Sequence, residues 1–320
     1  MKICVSNDSF FNFGDLDWGA LEALGDVRIY HTHTKDINEL ARRVGDAEIL
    51  ISDTPADLPN GLIAMCPNLK YISLTSTGYD SVELDVASAR GIQVSNIPSY
   101  GTASVAQYAI SLLLEICGQV GYYSAAVHAG RWSDCGPDTA HVRRLIELDG
   151  KTMGIIGLGR IGQAVARAAR GLGMEVIAYN RSRSAQGEAV AEYVALDELF
   201  RRADVISLHC PANAETVGII NARTIDMMKP GVIIINNSRG ALIDSCALAQ
   251  ALNSGRVYAA GLDVIESEPI ARDNPLLSAK NCFITPHISW LPKESRQRVV
   301  DCTVENIRAY LRGAPQNVVN

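Results

Sequence analysis

The sequence predicts an α/β protein made of two doubly wound parallel-sheet domains, and three observations carry that prediction. Two successive sets of short, nearly all-apolar β-rich runs alternate with helix-like stretches. Continuous rather than alternating apolar runs mark strands that are covered on both faces. A glycine-rich turn opens the second set, and the chain, with 320 residues of which 48% are hydrophobic, is long enough for two cores.

The first set comprises Lys2 to Val5, Val27 to Tyr30, Glu48 to Ser52, Tyr71 to Thr75 and Ile92 to Asn96. A long helical pattern follows from about Ser104 to His128, with Val105, Ala109, Leu112, Leu113 and Cys117 on one face. It stops near Gly130 and gives way to an irregular arm, Arg131 to Ile146. The second set is Thr152 to Gly157, Glu175 to Tyr179, Asp204 to His209, Val232 to Asn236, Ala259 to Asp263 and Cys282 to Thr285. Val300, Val304, Ile307 and Leu311 then form a stripe that ends at Gly313 and Pro315, a C-terminal helix expected to return to the first domain. The expected boundaries are residues 1–99 with 292–320 for a discontinuous substrate domain, and 100–291 for the domain inserted into it. Two crossings would form a hinge, with the site in the cleft.

A net charge of -6 and a pI near 5.6 give no basic stripe, which argues against nucleic acid or an anionic membrane as a partner. The first twenty residues interrupt their apolar positions with Asn7, Asp8, Asn12, Asp15 and Asp17, unlike a signal peptide, and no run is long enough to span a membrane. The eight cysteines are scattered singly, without CxxC pairs or metal-ligand spacing. Most of these thiols are expected to be reduced and buried, and a cytoplasmic location is the expectation.

The strand Thr152 to Gly157 runs through Leu158, Gly159, Arg160, Ile161 and Gly162 into a helical stretch, Gln163 to Leu172. Strand, GxGxxG turn and helix together predict a Rossmann dinucleotide site. Gly157 permits the tight turn, Gly159 lets a pyrophosphate approach the backbone, and Gly162 allows helix and strand to pack closely. A purely structural turn is the bland alternative. NAD-specific sites place a carboxylate at the end of the next strand. Here that place reads Tyr179, Asn180, Arg181, Ser182, Arg183, which favours NADP(H) while leaving NAD(H) possible. The competing reading puts both arginines on a solvated loop.

Three further segments lie at the C-terminal ends of expected strands, where open α/β sheets hold their ligands. They are Asn236 to Gly240, Gly261 to Pro269 and Thr285 to Trp290, and they contribute an arginine, carboxylates and a histidine. Reduction of a 2-keto acid needs these groups. A guanidinium clamps the substrate carboxylate, an imidazole gives a proton to the carbonyl oxygen, and a carboxylate orients the imidazole and favours its charged form.

With these motifs in place, the sequence resembles the D-isomer-specific 2-hydroxyacid dehydrogenases over almost its whole length. The resemblance implies a Rossmann domain inserted in a flavodoxin-like substrate domain. It puts the catalytic roles on Arg239, Glu268 and His287, with Glu266 a decoy, and it gives Asp263 the contact to the nicotinamide carboxamide. It assigns substrate-carboxylate binding to the backbone N–H groups of Thr77 and Gly78. Further cofactor contacts fall on His209, Cys210, Pro211, Thr216, Asn237 and Ser238. It also implies a homodimer built through 104–146.

Glu268 stands where formate dehydrogenases carry glutamine, and only a short stretch follows the last helix, unlike the longer phosphoglycerate dehydrogenases. Trp290 and the ending Asn306 to Asn320 resemble the glycerate dehydrogenase or hydroxypyruvate-glyoxylate reductase subgroup, though Trp290 serves equally as an ordinary core aromatic. The alternatives are a dinucleotide-sensing, corepressor-like binding protein and a dehydrogenase of a different small anion. His31, His33, His128 and His141 read as surface or structural residues, and Asp80 and Asp85 as helix caps or backbone partners. Loops near Asp53 to Pro55 and Leu74 to Gly78 are expected to size the substrate pocket.

Overall fold

The computed structural model describes residues 1–52, 58–79, 82–135 and 143–320. Asp53 to Pro55, Asp80, His141 and the middle of the arm, 136–142, lie outside the described residues. The chain divides into two compact units, Met1–Gly101 with Trp290–Asn320, and Thr102–Ser289.

The discontinuous unit is built on five parallel strands, β1 (Lys2–Val5), β2 (Asp26–Ile29), β3 (Ile49–Ser52), β4 (Tyr71–Leu74) and β5 (Gln93–Ser95), in the order β2-β1-β3-β4-β5. β3 and β4 are buried at every position. Their alternating side chains feed two cores. Cys4, Leu50, Ile72 and Val94 pack with Leu40, Val44 and Leu62 on one face. Ile3, Val5, Ile49, Ile51 and Tyr71 pack on the other with Val299, Val300, Val304 and Ile307 of the helix Lys293–Leu311. Burial of that helical stripe makes the C-terminal segment part of this unit. Leu311, read as the last member of the stripe, is exposed instead. The ring of Tyr310 takes up the packing by stacking on Tyr71, with centroids 4.3 Å apart. Beyond it, Val318 bridges antiparallel to Ser95 and the Val319 N–H donates to Val94, so the tail continues the sheet past β5.

The continuous unit has seven parallel strands: β6 (Thr152–Ile156), β7 (Glu175–Tyr179), β8 (Glu192–Tyr193), β9 (Val205–Leu208), β10 (Val232–Asn236), β11 (Val257–Leu262) and β12 (Cys282–Ile284). Their order is β12-β11-β10-β9-β6-β7-β8, the doubly wound dinucleotide-binding order with one strand added at the far edge. β6, β9 and β10 are buried throughout, as their unbroken apolar runs require. The two-residue edge strand β8 was not legible, because Glu192 and Tyr193 are too few to show a pattern.

The long helix read from Ser104 to His128 is two helices, Thr102–Gly118 and Val120–His128. They meet at an angle of 56°, where Gln119 adopts a left-handed backbone with φ 50°. The first packs Leu112, Leu113 and Ile116 into the core; the second buries nothing. No single helix among the described residues is long and apolar enough to cross a membrane, although this bent pair reaches the length and composition together. Asp85 lies in the first turn of the helix Leu84–Ala89 and is not its cap; Glu83 holds that position, its carboxylate accepting from the Gly61 N–H.

Candidate active site

The sheet of the continuous unit reverses its winding between β6 and β9, and the loops leaving those two strands are pressed together. Gly157, at φ 98°, has no room for a side chain, because a Cβ would lie 2.5 Å from the carbonyl carbon of His209. At Gly162 a Cβ would fall 2.2 Å from the Gly157 oxygen, whereas at Gly159 it would meet nothing within 4 Å. Two glycines are therefore demanded by packing and the third leaves an open approach. The helix Arg160–Gly171 begins there with no side-chain cap, so the positive end of its dipole faces the turn. These features fit a dinucleotide pyrophosphate.

Asn180 stands where a ribose-binding carboxylate would be, and its Oδ1 accepts from the Leu158 N–H at 3.2 Å, tying the end of β7 to the glycine turn. Its Nδ2 donates to the Ser182 carbonyl. Arg181, Ser182 and Arg183 are exposed, with the Arg183 guanidinium 5.6 Å from the ring centre of Tyr193. On the neighbouring loop, His209 Nε2 lies 2.8 Å from the Ser207 hydroxyl. Burial pushes the His209 imidazole down to about 4, so it is neutral near pH 7. The Ser238 hydroxyl donates to the Cys210 carbonyl, and the Thr216 hydroxyl donates to the Pro211 carbonyl, fixing the rest of this loop.

Arg239, Glu268 and His287 lie on three loops that the fold joins tightly. Asn236, fully buried at the end of β10, accepts from the Ser238 N–H and donates to the Arg239 carbonyl, so one carboxamide shapes the loop that carries the guanidinium. Arg239 Nη1 donates to the Ser238 carbonyl. Asn237 donates to the Val105 carbonyl, and its own buried Oδ1 has no donor among the described residues. Glu268 Oε2 lies 2.8 Å from His287 Nδ1, and Oε1 accepts from the Ile265 N–H. Glu266 is exposed and makes neither contact. Partial burial alone would raise the Glu268 carboxyl. The hydrogen bond and charge of His287, the Ile265 N–H and the charge of Arg239 outweigh it and hold the group below the ordinary carboxylate range.

Asp263 builds the histidine loop. Its carboxylate has no exposed surface and accepts from the Thr285 hydroxyl at 2.6 Å and from the Ile288 and Ser289 N–H groups at 2.9 and 2.8 Å. Its carbonyl accepts the His287 N–H at 2.9 Å. Held on both sides, His287 takes a left-handed backbone, φ 56°, which costs a residue with a side chain about 1–2 kcal/mol. That strain, kept by surrounding bonds, is characteristic of a functional position. The sequence placed Asp263 in the site but did not show this scaffolding role; the Thr285 hydroxyl, two residues before the histidine, was the available signal.

In the discontinuous unit, Thr77 and Gly78 follow β4. The Thr77 hydroxyl donates to the Ile97 carbonyl, the Ser76 hydroxyl donates to the Gly78 carbonyl, and Asn96 Nδ2 donates to the Thr77 carbonyl. The Thr77 and Gly78 N–H groups donate to no other described residue. Of the remaining histidines, His31 bonds through Nδ1 to the buried Asp8 carboxylate, itself held by Trp18 and Asn12. No group of histidine, cysteine or acidic side chains among the described residues is arranged to hold a metal ion.

The family profile "D-isomer specific 2-hydroxyacid dehydrogenase, NAD binding domain" matches residues 110–289, which include the glycine turn and all three charged loops. The chain belongs to this family. Its continuous unit is accordingly a nicotinamide-dinucleotide-binding domain. A hydroxypyruvate reductase of Blautia hydrogenotrophica is 52% identical over 324 residues, covering 100% of each chain. A solved glyoxylate reductase from Paecilomyes thermophila superposes with a TM-score of 0.84 at 31% identity, covering 100% of this chain and 98% of its own. An acyclic imino acid reductase solved with NADPH and D-Arg gives a TM-score of 0.84 at 30% identity, covering 100% of both.

The glycine geometry of this dehydrogenase separates packing from binding. Gly162→Ala forces the helix off β6 and should lower stability by about 1–3 kcal/mol along with dinucleotide affinity. Gly159→Ala points its methyl into open space and should leave Tm unchanged while weakening dinucleotide binding about tenfold. Thermal melts paired with fluorescence titration of NADPH measure both; equal Tm losses in the two variants would contradict this division.

Proposed function

We propose that the chain reduces a small 2-keto acid, hydroxypyruvate or glyoxylate, to the corresponding D-2-hydroxy acid. The observation that carries this reading is the Glu268–His287 pair at 2.8 Å, on the loops leaving β11 and β12, which continue the sheet from β10, the strand leading to Arg239, in a nicotinamide-dinucleotide domain. The 52% identity to a hydroxypyruvate reductase over the full chain supports the choice of substrate class.

When bound, the dinucleotide supplies a hydride to the carbonyl carbon. Arg239 binds the substrate carboxylate through two charged hydrogen bonds; in the discontinuous unit, Thr77 and Gly78 offer backbone N–H groups suited to a carboxylate. Glu268 holds His287 Nδ1, and the imidazole gives its Nε2 proton to the carbonyl oxygen. One hydride and one proton thus convert C=O to CH–OH, and no other co-reactant is needed. Asp263 positions the histidine loop; the nicotinamide contact read for it in the sequence is not carried over, because its carboxylate is enclosed and bonded within that loop. Asn237 and Ser238 lie beside the catalytic arginine. Gly157, Leu158, Gly159, Arg160, Ile161 and Gly162 cradle the pyrophosphate, and the loop of His209, Cys210, Pro211 and Thr216 borders it. NADP(H) is the favoured cofactor, since Asn180, Arg181, Ser182 and Arg183 put no carboxylate against a 2′-phosphate. A relative solved with NADPH is consistent with that choice.

A homodimer formed through 104–146 completes the reading. The helix Val120–His128 buries nothing, and Val120, Val127, Trp132 and Leu145 are exposed, an apolar surface that a second copy would cover.

Arg239→Ala should raise KM for the keto acid and lower kcat, whereas His287→Ala should chiefly remove kcat. Stopped-flow loss of nicotinamide absorbance tests both, and an unchanged kcat in His287→Ala rules out this proton donor. A panel of 2-keto acids run against both cofactors should give the higher kcat/KM with NADPH; clear preference for NADH would overturn that assignment. Light scattering should return twice the chain's 34.5 kDa, and a monomer would remove the dimer.

A further inference from the structure

Asn96 sits just past the end of β5, 7% exposed, and nothing in its sequence context, Val94-Ser95-Asn96-Ile97-Pro98, marks it as more than a turn residue. Its N–H donates to the Asn317 carbonyl at 3.1 Å, and its carbonyl accepts from Asn306 Nδ2 at 3.0 Å. Asn306 is fully buried, and its Oδ1 accepts from Asn317 Nδ2 at 2.8 Å. Asn317 meets both partners in a left-handed conformation, φ 55°, that asparagine tolerates better than most residues. With its own backbone fixed in this way, Asn96 extends Nδ2 to the Thr77 carbonyl at 2.8 Å.

The carbonyl of Thr77 and the N–H of Gly78 belong to one planar trans peptide and point in opposite directions. Gripping the first aims the second. Thr77 is an exposed residue, where water is at hand for a carbonyl. A buried carboxamide braced by two further asparagines is therefore more than that carbonyl needs for satisfaction; it supplies direction. Two secondary bonds hold the same loop from its other atoms, Thr77 Oγ1 to the Ile97 carbonyl and Ile97 N–H to the Ser76 carbonyl. The Gly78 N–H itself is spent on no described residue.

We propose that Asn96 is a positioning residue for the substrate carboxylate: through the Asn317–Asn306–Asn96 relay it locks the Thr77–Gly78 peptide with its N–H directed at the anion. This rests on the assignment of Thr77 and Gly78 to carboxylate binding. Asn96 touches no reacting atom. Its effect is on ground-state and transition-state binding of the keto acid, and it has no part in holding the dinucleotide, whose turn lies in the other unit.

Asn96→Asp preserves size but replaces the donor with an oxygen that the Thr77 carbonyl repels. The expected result at pH 7.5 is a KM for glyoxylate or hydroxypyruvate raised about tenfold, the scale of one charged hydrogen bond. The dinucleotide Kd should match the parent, while Tm falls, because the introduced carboxylate is buried against a carbonyl. Lowering the pH toward 5 protonates part of the introduced carboxyl and restores a donor, so the KM ratio of variant to parent should fall. A purely structural role would instead move the dinucleotide Kd and kcat along with KM, with no pH-dependent recovery of KM.

An unchanged KM in folded Asn96→Asp overturns the proposal. If that variant does not fold, Asn306→Ala decides, since it removes the brace and leaves the donor. A KM rise with unchanged dinucleotide Kd supports the relay, and an unchanged KM overturns it. Gly78→Pro, which deletes the N–H outright, separates the two levels. Raised KM there without an effect of Asn96→Asp overturns only the relay, whereas unchanged KM in Gly78→Pro overturns the carboxylate reading and the relay with it.

Discussion

A carboxylate with no exposed surface must collect donors, and around Asp263 that requirement organises the candidate active site. Leaving one buried ionised group unpaired would cost several kcal/mol. Three donors prevent this, and all three come from the segment Thr285–Ser289. The chain between the first and last of them has no freedom left, and His287 is the residue caught in the middle with φ 56°. A histidine in a relaxed loop would sample many directions. Here its orientation is set by the backbone before Glu268 fixes its ring.

The same economy appears wherever a strand of the continuous unit ends. Gly157 lies against the backbone of His209 and Cys210, and a Cβ on Gly240 would collide with the backbone of Ile265 at 1.9 Å. Parallel strands ending side by side bring their loops within van der Waals contact, and glycine at the crossing points lets them close. Groups far apart in sequence, Arg239 and Glu268 among them, thereby act on one another; the guanidinium contributes to holding the Glu268 carboxyl down. Rigid placement of this sort is what lets a site present charge without reorganising when substrate arrives.

What the sequence disclosed followed from how local each signal is. Unbroken apolar runs such as Val232 to Asn236 identified buried strands, and the GxGxxG turn identified its own packing, because in both cases the physics acts on neighbouring residues. The break at Gln119 left no mark, since the helical periodicity continues through it and only a left-handed φ divides it. Leu311 kept its place in the stripe by spacing alone, while tertiary packing gave its contact to Tyr310. Within the site, Glu266 and Glu268 are indistinguishable by spacing; the resemblance separated them, and the 2.8 Å contact to His287 gives the physical reason. Asn96 was invisible for the opposite cause. Its partners are 210 and more positions away in Asn306 and Asn317, so no window of sequence contains them.

Two histidines end strands in the dinucleotide domain, and their surroundings sort them into different work. His209 is half-buried, its imidazole is pushed down to about 4 by desolvation, and its ring bonds a neutral serine hydroxyl. With a neutral hydroxyl as its hydrogen-bond partner, nothing offsets the cost of burial, and the ring stays neutral near pH 7. His287 is exposed and carries a carboxylate on Nδ1 that stays ionised because Arg239 and the Ile265 N–H share in holding it there. A proton donor must pass through both charge states in every turnover. Of the two, His287 pairs with a carboxylate and reaches solvent, which is why the proposed proton transfer is placed on it.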